Sequence, residues 1–101
     1  DATPVDLTPP GVPSGVRASA TAAGIRVFWD RPDDPGVAAH RVYRRTTGQA
    51  APEMIGEVNM PASIFVDKSA PEGSKPFYSV TALDGAEPAN ESKPSPEATA
   101  R

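Results

Sequence analysis

Gly24-Ile25-Arg26-Val27-Phe28-Trp29-Asp30 runs directly into Arg31-Pro32-Asp33-Asp34-Pro35-Gly36. In an extended chain successive side chains point to opposite faces, so Ile25, Val27 and Trp29 share one face while Arg26 and Phe28 share the other. Glycine opens the run, and a cluster of proline, aspartate and glycine closes it, which is how a strand between two turns is punctuated. An apolar face that carries an indole must be covered, because truncating a buried aromatic of this size costs about 3–5 kcal/mol. The reading predicts that Trp29 anchors a core closed by a second layer of the same kind.

Working outward, Val16, Ala18 and Ala20 alternate with Arg17 and Ser19, the pattern of a half-buried strand. Residues 1–12, with Pro4, Pro9 and Pro10, read as a proline-rich linker that enters a domain spanning 13–101. Downstream, residues 39–45 are β-branched, aromatic or long, with Val42 pointing inward, and Thr46-Thr47-Gly48 ends them. Two short apolar runs at 54–58 and 64–66 are fenced by Pro52, Pro61 and Pro71. Residues 77–83 stop at the turn dipeptide Asp84-Gly85, and 93–100 read as a proline-interrupted edge strand. No window repeats apolar residues at helical spacing. Short strands at roughly 8–12-residue intervals predict an all-β, immunoglobulin-like fold, a two-sheet antiparallel β-sandwich of about seven strands. Arg26, Ser79 and Thr81 are expected on its outer faces.

Composition narrows the function. A length of 101 residues suits one domain. The 13 prolines and 8 glycines favour short elements and many turns, and a net charge of only −3 argues against wholesale disorder. The absence of cysteine removes disulfides, thiolate metal sites and thiol catalysis, so the apolar core alone must stabilise the fold. A mildly acidic balance disfavours nucleic acid, whose phosphates select for a basic stripe. No apolar run approaches the ~18 residues that cross a bilayer, so no membrane insertion is expected of this segment. The chain begins at Asp1 without a leader and reads as a piece of something longer.

These residues resemble the fibronectin type III domain over 13–98. The lead into Pro13-Ser14-Gly15-Val16 is similar to the family's first strand, 25–30 to its second with the core Trp, and 78–84 to its sixth. Val42-Tyr43-Arg44, Phe65-Val66-Asp67 and Asn90-Glu91-Ser92-Lys93-Pro94-Ser95 resemble the versions found in bacterial secreted and surface proteins, including spacers in polysaccharide-degrading enzymes. Two positions depart from the pattern. A Tyr six residues before the Ala of the sixth strand, whose hydroxyl ties down a corner in many members, is here Pro76, and the usual Leu before that strand is Ala70. The 65–76 connection is therefore expected to be loose. The integrin-binding tripeptide Arg-Gly-Asp is absent.

Candidate chemistry is thin, and no catalytic residue, cofactor or metal is expected. His40 is the sole imidazole and has no serine beside it in sequence, so it reads as a residue at the rim of the core. Asp30, Asp33 and Asp34 fail as a calcium loop. With Asp30 first, the third position is Pro32 and the twelfth Arg41. Arg41, Arg44 and Arg45 with Tyr43 form a basic and aromatic cluster, in which Tyr43 and Arg45 face away from Val42. Phe28 lies opposite Trp29, where an aromatic stacks on a sugar or a neighbouring domain. Glu53 and Glu57 share a strand face but no cleft, which leaves a glycosidase without support. Asn90-Glu91-Ser92 is a glycosylation sequon with meaning only in a eukaryotic secretory pathway.

The expectation is a non-catalytic module, secreted, periplasmic or at a cell surface, that spaces or docks neighbouring domains of an exported bacterial protein. The rival reading is a carbohydrate- or protein-binding module using Phe28, His40, Tyr43 and Arg45, or the 31–38 and 84–92 loops.

Overall fold

The computed structural model describes residues 10–32, 36–46, 51–69, 76–86 and 89–99. Within them lie seven strands: β1 (Arg17–Thr21), β2 (Gly24–Phe28), β3 (Val37–Arg45), β4 (Glu53–Asn59), β5 (Ile64–Asp67), β6 (Phe77–Asp84) and β7 (Ala98–Thr99). No helix occurs among the described residues. The strands form a three-stranded sheet, β1-β2-β5, and a four-stranded sheet, β4-β3-β6-β7, with antiparallel pairing throughout. This is the two-sheet sandwich that the alternating patterns require, because each strand offers one apolar face and two sheets must cover each other.

Val27, Trp29, Val42, Tyr78 and Val80 form the buried centre, and Val16, Ala18, Ile25, Ile55, Val58 and Phe65 pack around it. Each large aliphatic removed from water here contributes about 1.5–3 kcal/mol. The sheets approach so closely at one point that a Cβ on Gly56 of β4 would lie 2.3 Å from the Phe65 ring of β5. Gly15, at φ 66°, turns the lead-in segment into β1, and a side chain there would run into the Asp30 carboxylate.

Three expectations are corrected. The last strand is shorter than 93–100, since only Ala98 and Thr99 pair with β6. Between Glu91 and Ala98, Pro94 and Pro96 lack the N–H groups of a ladder. Serine hydroxyls fill in. Ser92 Oγ accepts from Ala82 N (2.9 Å) and Ser95 Oγ from Val80 N (3.0 Å), while Ser92 N and Ser95 N donate to the carbonyls of Ala82 (2.8 Å) and Val80 (3.0 Å). Secondly, Ser79 and Thr81 face outward opposite Tyr43 and Arg41 as expected, but they are buried rather than solvated, because Glu91 and the C-terminal segment beside β6 cover them. Thirdly, Glu53 and Glu57 do not share a face. A register shift opposite Val42 and Tyr43 leaves Ile55 unpaired, so Glu57 stands opposite Arg41 while Glu53 stands opposite Arg44, on the other side of the sheet.

Candidate functional site

His40 comes from β3 and faces inward with Val42. It is 1% exposed, not at the rim, and its ring lies 5.1 Å from that of Trp29, tilted by 50°. Burial lowers its pKa and keeps the imidazole neutral. His40 Nδ1 and Trp29 Nε1 are both buried without a hydrogen-bond partner. Beside them lies a cavity of about 130 Å³ whose walls include Pro13, Ser14, Asp30, Val37 and Ala82. A general base must be within hydrogen-bond reach of the proton it takes, and here no nucleophile hydroxyl engages Nδ1.

The basic cluster of β3 divides, because alternate residues leave opposite faces of the strand. Arg41 and Tyr43 lie on the outer face, where both donate to Glu91, joined by the Thr81 hydroxyl at 2.6 Å; Arg41 also reaches Glu57 at 3.1 Å. Burial alone would raise the Glu91 pKa, but the Thr81 and Tyr43 hydroxyls and the Arg41 guanidinium outweigh it and hold the carboxylate below its ordinary value. A shallow hollow of about 210 Å³ lies over Tyr43, Pro52, Thr81, Glu91 and Pro94. Arg45 pairs both nitrogens of its fork with Glu97 at 2.8 Å and lies 4.8 Å from the Phe77 ring centroid. The basic patch expected from sequence is therefore neutralised by carboxylates brought from 16 to 52 residues downstream in the chain.

Arg44 points the other way, toward a centre that sequence reasoning missed. Asp67, the last residue of β5, is 2% exposed. It accepts from the Tyr78 hydroxyl (2.7 Å), from Arg44 (2.9 and 3.1 Å), and from the backbone and hydroxyl of Ser69 (3.0 Å each). Burial raises the Asp67 pKa, but the Tyr78, Arg44 and Ser69 donors more than reverse that effect. Burial and the adjacent carboxylate push the Tyr78 hydroxyl well above its usual range. The corner tie that Pro76 cannot make is thus replaced by a tie from Tyr78, two residues on, to a side chain of the other sheet. The signal was present in sequence: Asp67 has the same strand parity as inward Phe65, and an inward acid needs donors. Ala70 lies outside the described residues, as do Asp33 and Asp34 of the 31–38 loop. The 84–92 loop is held by Asp84, whose carboxylate accepts from Ala86 N (3.1 Å), Asn90 N (2.8 Å) and Asn90 Nδ2 (2.8 Å).

Phe28 lies on the outer face of the three-stranded sheet, as its parity requires. The ladder aligns Arg17, Phe28 and Ile64 in one row across that face and Ser19, Arg26 and Val66 in the next. The Arg17 and Arg26 guanidinium carbons lie 4.8 and 5.8 Å from the Phe28 ring centroid. Arg17 is fixed further by Gly15 O (2.8 Å) and Asp30 (3.3 Å). The four candidate residues therefore occupy separate places: a buried end cavity, the outer face of each sheet, and the Glu97 ion pair. No group of acids and histidines suited to a metal occurs among the described residues.

Solved structures share this architecture. A Fn3-like protein from Clostridium thermocellum is 24% identical, with 88% of each chain covered and a TM-score of 0.71. The fold is fibronectin type III-like. The Clostridium perfringens spore cortex lytic enzyme SleM matches over 91% of this chain and 28% of its own, at 21% identity and a TM-score of 0.72. Pectate lyase Pel3 from Pectobacterium carotovorum matches over 83% of this chain and 25% of its own, at 25% identity and a TM-score of 0.63. The chain thus corresponds to about a quarter of the length of these two enzymes. No protein-family model and no curated protein matches it.

Proposed function

We propose that this fibronectin type III-like sandwich is a non-catalytic module that sets the distance between neighbouring domains of an exported bacterial protein. The observation that supports the reading most directly is where the chain enters and leaves. Residues 11–14 pack beside Val37 and Ala82, toward the end of the four-stranded sheet where Val37 pairs with Asp84. Thr99 pairs with Phe77, at the other end of β6. Eight residues of strand separate those ends, about 25 Å at ~3.3 Å per residue. The Asp67 network ties the two sheets together between them, so a pull on either terminus acts on a cross-braced body. Likeness to domains that accompany a pectate lyase and a spore cortex lytic enzyme agrees with export beside a catalytic partner.

The chain assayed alone against polysaccharide, ester and peptide substrates is expected to show no turnover. Turnover that His40→Ala abolishes would overturn the reading.

A further inference from the structure

The outer face of the three-stranded sheet differs in character from the rest of the molecule. Its outward positions on β1, β2 and β5 carry two arginines and no acid, although the chain as a whole is at −3. Arg41, Arg44 and Arg45 are all ion-paired, and Arg17 is paired with Asp30. Arg26 has no carboxylate partner among the described residues, and its guanidinium carbon lies 5.8 Å from the Phe28 ring centroid. Next to these cations the same face leaves Ile64 42% exposed and Phe28 and Val66 half-buried. The surface is therefore apolar and cationic at once, with Arg17 pinned by three contacts and two guanidiniums beside the Phe28 ring.

We propose that this face binds an extended polyuronate, a polysaccharide whose sugar residues each carry a carboxylate. This rests on the module reading above and adds a ligand to it. A uronate residue combines an apolar C–H ring face with an anion at its edge, which complements rows that alternate arginine with Phe28, Ile64 and Val66. Arg26 supplies the fork for a carboxylate, and the apolar side chains receive the ring faces. Size selects against a protein partner. Three strands spaced ~4.8 Å apart over five residues present a few hundred Å² at most, well short of the ~800 Å² that each side of a stable protein complex buries. The central strand β2 is hydrogen-bonded on both sides, so an acidic peptide lying across the face gains no main-chain hydrogen bonds from it.

The test is a titration of the isotope-labelled chain with polygalacturonate, followed by amide NMR, beside poly-glutamate and a neutral glucan. Shifts confined to Arg17, Ser19, Arg26, Phe28, Ile64 and Val66, present with polygalacturonate and absent with the glucan, are expected. Arg26→Gln should weaken binding about five- to tenfold, the loss of one charge-assisted contact. Ile64→Ser, on an exposed side chain, should weaken it without altering the remaining spectrum. Raising salt severalfold should also weaken it, as screening demands. Equal shifts with poly-glutamate would replace the sugar with a general acidic partner. Equal binding of the glucan, or no shift at these residues, would overturn the proposal. The module reading is untouched by any of these results, because it depends on chain-end geometry and on the absence of turnover.

Discussion

Asp67 is the residue on which the two sheets depend most. Replacing Tyr78 by Phe keeps the ring in the core and removes one donor to a buried carboxylate, an expected cost of about 1.5–3 kcal/mol measured by urea unfolding. Asp67→Ala leaves Arg44, at a nearly buried site, with only the exposed Glu53 at 4.0 Å as a carboxylate partner and should cost about 3–5 kcal/mol. Two buried groups contribute to the pH response. Asp67 has a folded pKa below its unfolded value, so its contribution is complete above about pH 4 and is lost as pH falls through the folded value. His40 is also lowered, but there the neutral form is favoured, so the unfolded chain takes up the proton first. Stability should therefore begin to fall already as pH drops below about 6.5. His40→Gln should remove that early decline and leave the later one, as read by thermal unfolding between neutral pH and pH 3. The inward position of Trp29 follows from strand parity, whereas its ring contact with a fully buried His40 was not legible. Nor were the carboxylate partners of Arg41, Arg44 and Arg45, because parity says which face a side chain takes but not which distant strand brings the opposite charge.

Among the elements, β1 to β6 all lie within two residues of their expected positions, since alternating or β-branched and aromatic runs between turn residues have few other solutions. The final strand failed for a specific reason. Its sequence shows prolines where a ladder needs donors, and only the structure shows Ser92 and Ser95 serving β6 with their side chains. Ser95→Ala is expected to leave Val80 N without an acceptor and to cost about 1–3 kcal/mol, with faster hydrogen exchange at Val80 than at the flanking amides. Ile55 offers a second case, since an unpaired extra residue leaves no mark in a hydrophobicity pattern yet inverts the facing of everything beyond it. At Gly56 the constraint is a close approach, so Gly56→Ala should destabilise by about 1–3 kcal/mol through its clash with Phe65, and pairing it with Phe65→Leu should recover part of the loss.

Taken whole, the molecule is a cross-braced sandwich that the chain enters beside Val37 and leaves beside Phe77. The core at Trp29 and the fold class were readable because one-sided strands must face one another. The neutralised arginines and the addition of Arg17, Ile64 and Val66 to the face of Arg26 and Phe28 needed coordinates, because both arise from residues far apart in sequence. The claim that the module fixes a distance is tested most directly by pulsed electron resonance between spin labels at Gly11→Cys and Thr99→Cys. The cysteine-free chain permits clean labelling, and a side chain at Gly11 meets nothing within 4 Å. A single narrow distance of about 20 Å or more is predicted from the strand length that separates the two ends. A broad distribution, or one centred on close approach of the labels, would contradict the account.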